Sequence, residues 1–493
     1  MQVPLQLSDH ACRGGKMNGV AYDTAWTAQV TDESGNPIFP ECIRWLLENQ
    51  NPDGSWGSQV LNYHDRIMST LGAIMALKKT GKYEGSIRKG EAYIWENIIR
   101  LSREPCKLVA SELLIPSLME QAESLGLNLP YHIKIYQREY QAKLSKIDQS
   151  LWYSPLTTLS HSIEFLGENV DENRLSGILL PNGCVGNSPA ATAFFLMHTK
   201  NVKALWFLKQ ILQTTGDGSV MTVYPINLFE YLWTLYNLML AGLYFEEYAG
   251  ICELLRTYVG HSGLGMSTDF PIPDADDTSV LCKILSEMQY SVDFTILDAY
   301  DAGEYFSTYT FEVDPSVSTN IHVLDCVKSC FKFPQREETM DRLVHFLRVR
   351  MISQGFWIDK WHISPYYPTS HAILALCNVD DTLAGKAVSW LLDSQNENGT
   401  WGRNGGTLEE TALAAQALIY YHRHVERIDI KRMCGAFSAL NLRGPALLRS
   451  ALPSLWIGKV LYVPMQIVWS SIAGAQFMTK TEMMQMPVLL AGY

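Results

Sequence analysis

Three carboxylates fall within four residues at Asp274-Ala275-Asp276-Asp277. Like charges packed that closely are unstable unless water, a metal ion or a shared proton relieves them. A shared proton is the reactive option, because a carboxylic acid kept neutral by its neighbours is a proton donor held in reserve. The structural option is a helix cap, since Asp is favoured where free backbone N–H groups point outward. A loop with Gly263, Gly265, Pro271 and Pro273 leads into the stretch, and an apolar run from Val280 to Leu285 follows it. Both readings therefore set the acids at the start of a helix.

The elements that must position them are legible as a repeat. Trp45-Leu-Leu47 is followed by Gln50, Gly54 and Trp56-Gly57; Trp390-Leu-Leu392 is followed at the same spacing by Gln395, Gly399 and Trp401-Gly402. The apolar triplet ends one helix, Gln can bond backbone at the turn, Gly supplies the turn, and Trp packs back. Ala-rich helical runs follow at 64–77 and 409–418. Weaker copies of this grammar occur at Asn182-Gly183 and Gly355-Phe-Trp357, and the loop before Asp274 belongs to the series. Strand signals are scarce and helix-period runs dominate. Repeated helical hairpins with their turns gathered at one end give an all-α solenoid or a closed α/α barrel, and the two separated copies of the strong repeat suggest two α/α-barrel domains, with the acids at the mouth of the second.

Composition narrows the function classes. The chain has 493 residues, 47% hydrophobic and 18% charged, with a formal net charge of −12. That balance describes a core-rich globular chain and excludes a general nucleic-acid binder. Ten Cys without a C-x-x-C pair, several inside apolar runs, point to a reducing compartment. With no signal segment, the expected location is cytoplasmic. The late apolar stretch 455–478 is broken by Lys459, Pro464, Gln466 and Gln476, so it reads as a core helix and not a membrane span.

The turn repeat together with Asp-x-Asp-Asp resembles the class II terpene cyclases, and within them the copalyl diphosphate synthases. Matching stretches run in family order: Tyr22-Asp-Thr-Ala-Trp26, His64-Asp-Arg66, Pro116-Ser-Leu-Met-Glu120, Thr157-Thr-Leu-Ser-His161, Ser188-Pro-Ala-Ala-Thr-Ala-Phe194, Tyr224-Pro-Ile-Asn227 and Leu455-Trp-Ile-Gly-Lys459. The resemblance implies a β domain built from residues 1–37 and 251–493, with a γ domain inserted at 38–250. Members that also carry a class I α domain continue past the β domain, and the expected partner is such a domain or a prenyltransferase, in the same protein or separate. Asp380-Asp381-Thr-Leu-Ala384 lacks the last acid of an Asp-Asp-x-x-Asp metal motif and reads as a solvated loop.

On this resemblance the expected reaction is proton-initiated bicyclisation of geranylgeranyl diphosphate, with the diphosphate retained. Asp276 corresponds to the proton donor, with Asp274 and Asp277 tuning it, and Asn320 to the residue that bonds the acid. His161 corresponds to the terminating base, acting through a water whose usual Asn holder is here Thr222. Lys360, Lys143 and Arg66 correspond to diphosphate contacts. The acidic run expected before Pro116 is thinned to Glu104, the one candidate ligand for Mg²⁺. Aromatic residues for a cation-stabilising cavity are ample, with 13 Trp, 24 Tyr and 17 Phe. Drimenyl-type cyclisation of farnesyl diphosphate and a non-catalytic helical-repeat scaffold are the competing readings; a triterpene cyclase would show more turn repeats.

Overall fold

The computed structural model describes residues 14–312, 314–441 and 452–485. Helices dominate, and they close into two rings. The first ring comprises α1 (Ala21–Ala28), α2 (Tyr63–Lys79), α3 (Ser111–Ser124), a 3₁₀ segment (Thr158–Asn169) and α4 (Pro189–Thr199). Each packs on the next, and α4 returns to α1. The second ring comprises α5 (Asn227–Leu240), α6 (Ala275–Glu287), α7 (Val317–Ser329), α8 (Tyr366–Leu376), α9 (Leu408–His424) and α10 (Met465–Gln485), with α10 closing onto α5. Further helices such as Glu84–Asn97 and Arg336–Arg350 pack around the rings.

The turn repeat does the joining. Trp56, Trp357 and Trp401 are fully buried, and each indole N–H donates to a carbonyl ten residues upstream: Leu46 at 2.6 Å, Leu347 at 2.8 Å and Leu391 at 2.7 Å. Each Trp backbone N–H then donates to a threonine hydroxyl of the following ring helix, Thr70, Thr369 or Thr411. Gln50 and Gln395 span their turns to the carbonyls of Gly54 and Gly399, whose φ values of 89° and 80° suit glycine. One hydrogen-bonding unit thus welds an outer helix to the next inner one in both rings.

Packing differs from the expected domain boundaries at two places. Helix α1, assigned from sequence to the second unit, closes the first ring against α2 and α4. Small residues permit this: a side-chain carbon at Gly72 would come 3.3 Å from Ala25 Cβ, and Trp26 meets Phe194 edge-on at 5.9 Å. Helix α5, expected inside the inserted unit, closes the second ring against α6 and α10. Periodicity identifies an apolar face but not the partner that covers it.

A hairpin between the rings, β1 (Trp456–Ile457) and β2 (Leu461–Tyr462), is the main bridge. Its backbone bonds Val109 N–H, the Asp65 carboxylate and the Trp361 carbonyl. Asp380, expected in a solvated loop, instead caps the helix Asp381–Asp393 through Leu383 N–H at 3.0 Å. Among the described residues no helix is long and apolar enough to cross a membrane.

Candidate active site

The acidic stretch opens α6 as an N-cap as well as a cluster. Asp274 Oδ1 accepts from the Asp277 N–H at 2.8 Å, closing the first turn. The incoming loop is pinned by Thr278, whose hydroxyl accepts from Leu264 N–H at 3.0 Å. Gly263 has φ of 112°, and a side chain there would collide with that same hydroxyl.

Burial sets the electrostatics. Asp274 is held well above the usual carboxylate range by burial first, then by Asp277 and Asp276. Asp277 is pushed up to about 8 by burial and then by Asp276, partly offset by the Trp233 indole N–H, which donates to its Oδ1 at 2.9 Å. Its Oδ2 is buried with no partner. Near neutral pH the cluster therefore retains protons, as a proton-donating site requires.

Asp276 is the member turned toward other chemistry. Its Oδ1 lies 2.5 Å from Nδ1 of His322 on α7, and Nε2 of His322 lies 2.6 Å from Nδ1 of His371 on α8. His371 is held well below the usual imidazole range by burial, then by His322 and His362. Aromatic rings enclose the pair: Trp233 meets His322 edge-on at 4.8 Å, and Tyr367 lies 4.5 Å from His371. From the bridging hairpin, Trp456 stands 5.1 Å from Tyr367, and Tyr462 lies near enough to feel the charge of Asp277.

Asn320 does not reach this acid. Its amide accepts from Phe306 N–H at 2.8 Å and donates to the carbonyls of Phe306 and Ser316, fastening the preceding loop to α7. Residues two apart on a helix point to nearly opposite sides, so a helix that turns His322 to Asp276 turns Asn320 away. His322 is the partner that sequence reasoning missed. The available signal was a pair of histidines, His322 and His371, set in otherwise apolar helical runs.

His161 and Thr222 come together in a separate buried neighbourhood around Lys459 of the hairpin. Lys459 is fully buried and donates to Glu164 Oε1 at 2.6 Å, to Ser188 Oγ at 2.5 Å and to the His161 carbonyl at 2.9 Å. Nδ1 of His161 donates to the Gly186 carbonyl at 2.7 Å, which leaves Nε2 as the free lone pair in the neutral ring. Burial and then Lys459 push its pKa down to about 3, so the ring stays neutral. Asp23 shares the site and is pushed up to about 7, by burial first. Thr222 lies beside Asp23, close enough for its hydroxyl to act on that carboxyl. Among the described residues no hydrogen bond or ion pair joins this group to Asp276.

The expected diphosphate and metal residues do not gather at one point. Lys360 pairs with Glu312 and the Asp314 carbonyl, and Lys143 pairs with Glu112 at 3.3 Å. Arg66 is spent inside the first turn repeat, on the Ser58 carbonyl at 2.8 Å and Ser55 Oγ at 2.7 Å, and only 7% of it is exposed. Glu104 caps α2 through Tyr63 N–H at 3.1 Å. Its charge and those of Asp359 and Arg403 all act on the Cys106 thiol, so this corner joins the two rings. Among the described residues no three His, Cys, Asp or Glu side chains form a metal cage. Mg²⁺ is commonly held by one or two carboxylates plus substrate phosphates, and Glu104 offers a single half-buried carboxylate whose oxygens face the Tyr63 and Cys106 N–H groups.

Comparison with known proteins places this arrangement. The family of the squalene-hopene cyclase C-terminal domain matches residues 305–418. A type B diterpene cyclase of Mycobacterium tuberculosis is 31% identical, covering 96% of this chain and 98% of the relative. The chloroplastic ent-copalyl diphosphate synthase 2 of Oryza sativa subsp. japonica is 32% identical over 72% of this chain, which spans 46% of that relative's length. The structure of an ent-copalyl diphosphate synthase from Streptomyces platensis superposes with a TM-score of 0.79 at 23% identity, covering 94% of this chain and 96% of the other.

Proposed function

The chain belongs to the class II diterpene cyclases, and from that premise we propose that it cyclises geranylgeranyl diphosphate to a bicyclic copalyl-type diphosphate. The observation that carries the reading is the 2.5 Å contact between Asp276 and His322 inside a buried, proton-retaining acid cluster.

Protonating an alkene needs a neutral acid whose anion is stabilised once the proton has left. Asp274 and Asp277, both short of their charge, leave Asp276 as the acid whose conjugate base has an imidazole partner. The His322 imidazole at Oδ1 takes up that negative charge, and the second oxygen of Asp276 delivers the proton to the terminal double bond. Aromatic faces from Trp233, Tyr367 and Trp456 suit the cation that follows. His161, neutral with Nε2 free, accepts the closing proton directly or through a water beside Thr222. Lys360 and Lys143 would hold the diphosphate by exchanging their present carboxylate partners for phosphate oxygens, with Glu104 ligating the ion. Bound Mg²⁺ would supply charge neutralisation of the diphosphate.

The test is to incubate the protein with Mg²⁺ and, separately, geranylgeranyl or farnesyl diphosphate, then remove the phosphates and identify the alcohols by mass spectrometry. A bicyclic C20 alcohol that disappears with Asp276→Asn is expected. No cyclic product, or an undiminished one from the variant, rejects the reading; a C15 product alone moves the substrate to farnesyl diphosphate.

A further inference from the structure

Asp276 and His322 meet across the seam between α6 and α7, and a second tie crosses the same seam seven residues further along each helix. Lys283 on α6 donates to Ser329 Oγ on α7 at 3.0 Å and pairs with Asp325 Oδ2, also on α7, at 3.7 Å. Seven residues make almost two whole turns, about 10 Å along the axis, so Lys283 shares a face with Asp276, and Ser329 shares one with His322. The side chains of Lys283 and Asp325 are mostly buried, at 16% and 8% exposure. Glu287, one turn along α6, also accepts from Lys283 at 2.5 Å. Burial pushes the Asp325 carboxyl up, yet Lys283, then Lys328 and the Tyr236 hydroxyl, hold it below the usual carboxylate range. That hydroxyl donates to Asp325 Oδ2 at 3.1 Å, and the Tyr236 ring lies edge-on to His322 at 6.2 Å and stacked on His371 at 5.8 Å. Asp325 thus joins α5, α6 and α7 around the two histidines.

We propose that Lys283, through Asp325 and Ser329, is the positioning residue that holds His322 against Asp276. One contact between two helices is a pivot about which either can turn or tilt, and a second contact two turns away removes that freedom. A turn of α7 by about 200° would present Asn320 in place of His322, and a far smaller one takes the imidazole off its 2.5 Å contact. The rest of the seam is weakly tied. Cys330 meets the Cys282 carbonyl through sulfur at 4.0 Å, and Cys282, Cys326 and Cys330 otherwise pack as apolar groups beside Phe294. A buried ion pair is a poor source of stability alone, because well-packed apolar residues often serve as well; its best-attested use is to fix register. Among the described residues Lys283 bonds none of Asp274, Asp276 and Asp277, so it acts on the acid only by aiming His322.

The effect on rate rests on Asp276 being the initiating acid, but the contact itself is read without substrate. A proton held between His322 Nδ1 and Asp276 Oδ1 at 2.5 Å sits in a short, charge-assisted bond and resonates far downfield in the proton NMR spectrum. The resonance that vanishes in both Asp276→Asn and His322→Phe reports it. Lys283→Met removes the tie, and Lys283→Met combined with Asp325→Asn removes it without stranding a buried charge, should the single variant not fold. In whichever folds, by circular dichroism, the resonance is expected to move upfield or disappear. With geranylgeranyl diphosphate and Mg²⁺, kcat should fall about tenfold with KM changed by less than about twofold. In the His322→Phe background the same substitution should change kcat by less than about twofold, because the ring it aims is gone. A wild type without the resonance, a resonance unmoved in the variants, or a kcat loss undiminished in the His322→Phe background overturns the proposal. Failure of both variants to fold makes the pair a stability element and overturns it too. A wild type that gives no bicyclic product, or Asp276→Asn that gives it undiminished, overturns instead the functional reading, and the resonance then decides the role of Lys283.

Discussion

The indole N–H of Trp233 meets Oδ1 of Asp277 at 2.9 Å, while Oδ2 of the same buried carboxyl has no partner. Burial and then the charge of Asp276 make this carboxyl keep its proton, and the single indole bond offsets them only in part.

That imbalance gives stability a defined pH dependence. An unfolded Asp releases its proton near 4, whereas folded Asp277 holds it to about 8. Between those values the folded chain binds more protons, so this carboxyl's contribution falls as pH rises. Asp277→Asn cannot ionise and keeps an acceptor for Trp233. Its stability should equal that of the wild type near pH 4, then exceed it by a margin growing by at most about 1.4 kcal/mol per unit up to pH 8. Denaturant titrations at a series of pH values check this; a constant margin contradicts it.

Removing the imidazole from the initiating acid should affect chemistry more than binding. His322→Phe keeps the ring packed under Trp233 but leaves the Asp276 anion without its partner. We expect kcat to fall by about 10²-fold with KM changed little, the usual scale for a mispositioned general acid. Initial rates over a range of substrate concentrations decide; a rise in KM at unchanged kcat would show that His322 serves binding.

Lys459 is the counter-charge of a fully buried cluster. Lys459→Met strands Glu164 and removes the cation beside Asp23, and should cost about 3–5 kcal/mol. Pairing it with Glu164→Gln should restore more than half of that loss. Equilibrium unfolding of the single and double variants measures the coupling, and additive losses would show that the pair is not coupled.

The repeat tryptophans carry both volume and a hydrogen bond. Trp401→Phe keeps most of the packing but removes the indole bond to the Leu391 carbonyl, which retains the Ser394 hydroxyl at 3.1 Å, and should cost about 0.5–1.5 kcal/mol. Trp401→Ala should cost about 3–5 kcal/mol. Thermal and denaturant unfolding check the ordering.

What the sequence disclosed follows from how far apart its informative residues lie. Gln, Gly and Trp within a dozen positions specify a turn almost by themselves, so Trp56 and Trp401 were readable, and the weaker Gly355-Phe-Trp357 proved to make the same bonds. The Asp274–Asp277 stretch disclosed both its cap and its charge conflict for the same local reason. Which ring a helix completes was not readable: α1 joins the first through Ala25 against Gly72, a fit between residues with no local relation. Nor was the partner of Asp276. Asn320 and His322 are one helical half-turn apart, and only the rotation of α7 against α6 decides between them. The diphosphate cations were named from pattern, and charges on flexible stems have no fixed address in a sequence.

The hairpin that holds Lys459 also has a consequence for how the molecule is made. Glu164 waits through 295 residues of synthesis for its cation. The first ring leaves the ribosome early, with Glu164 and Asp23 sealed inside and nothing to neutralise them. Domains usually fold in the order they emerge. Here the earlier-born ring can reach its final packing only after the last tenth of the chain has threaded back between the two. Helix α10, which closes the second ring, follows the hairpin, so both rings await the same late segment before they can lock.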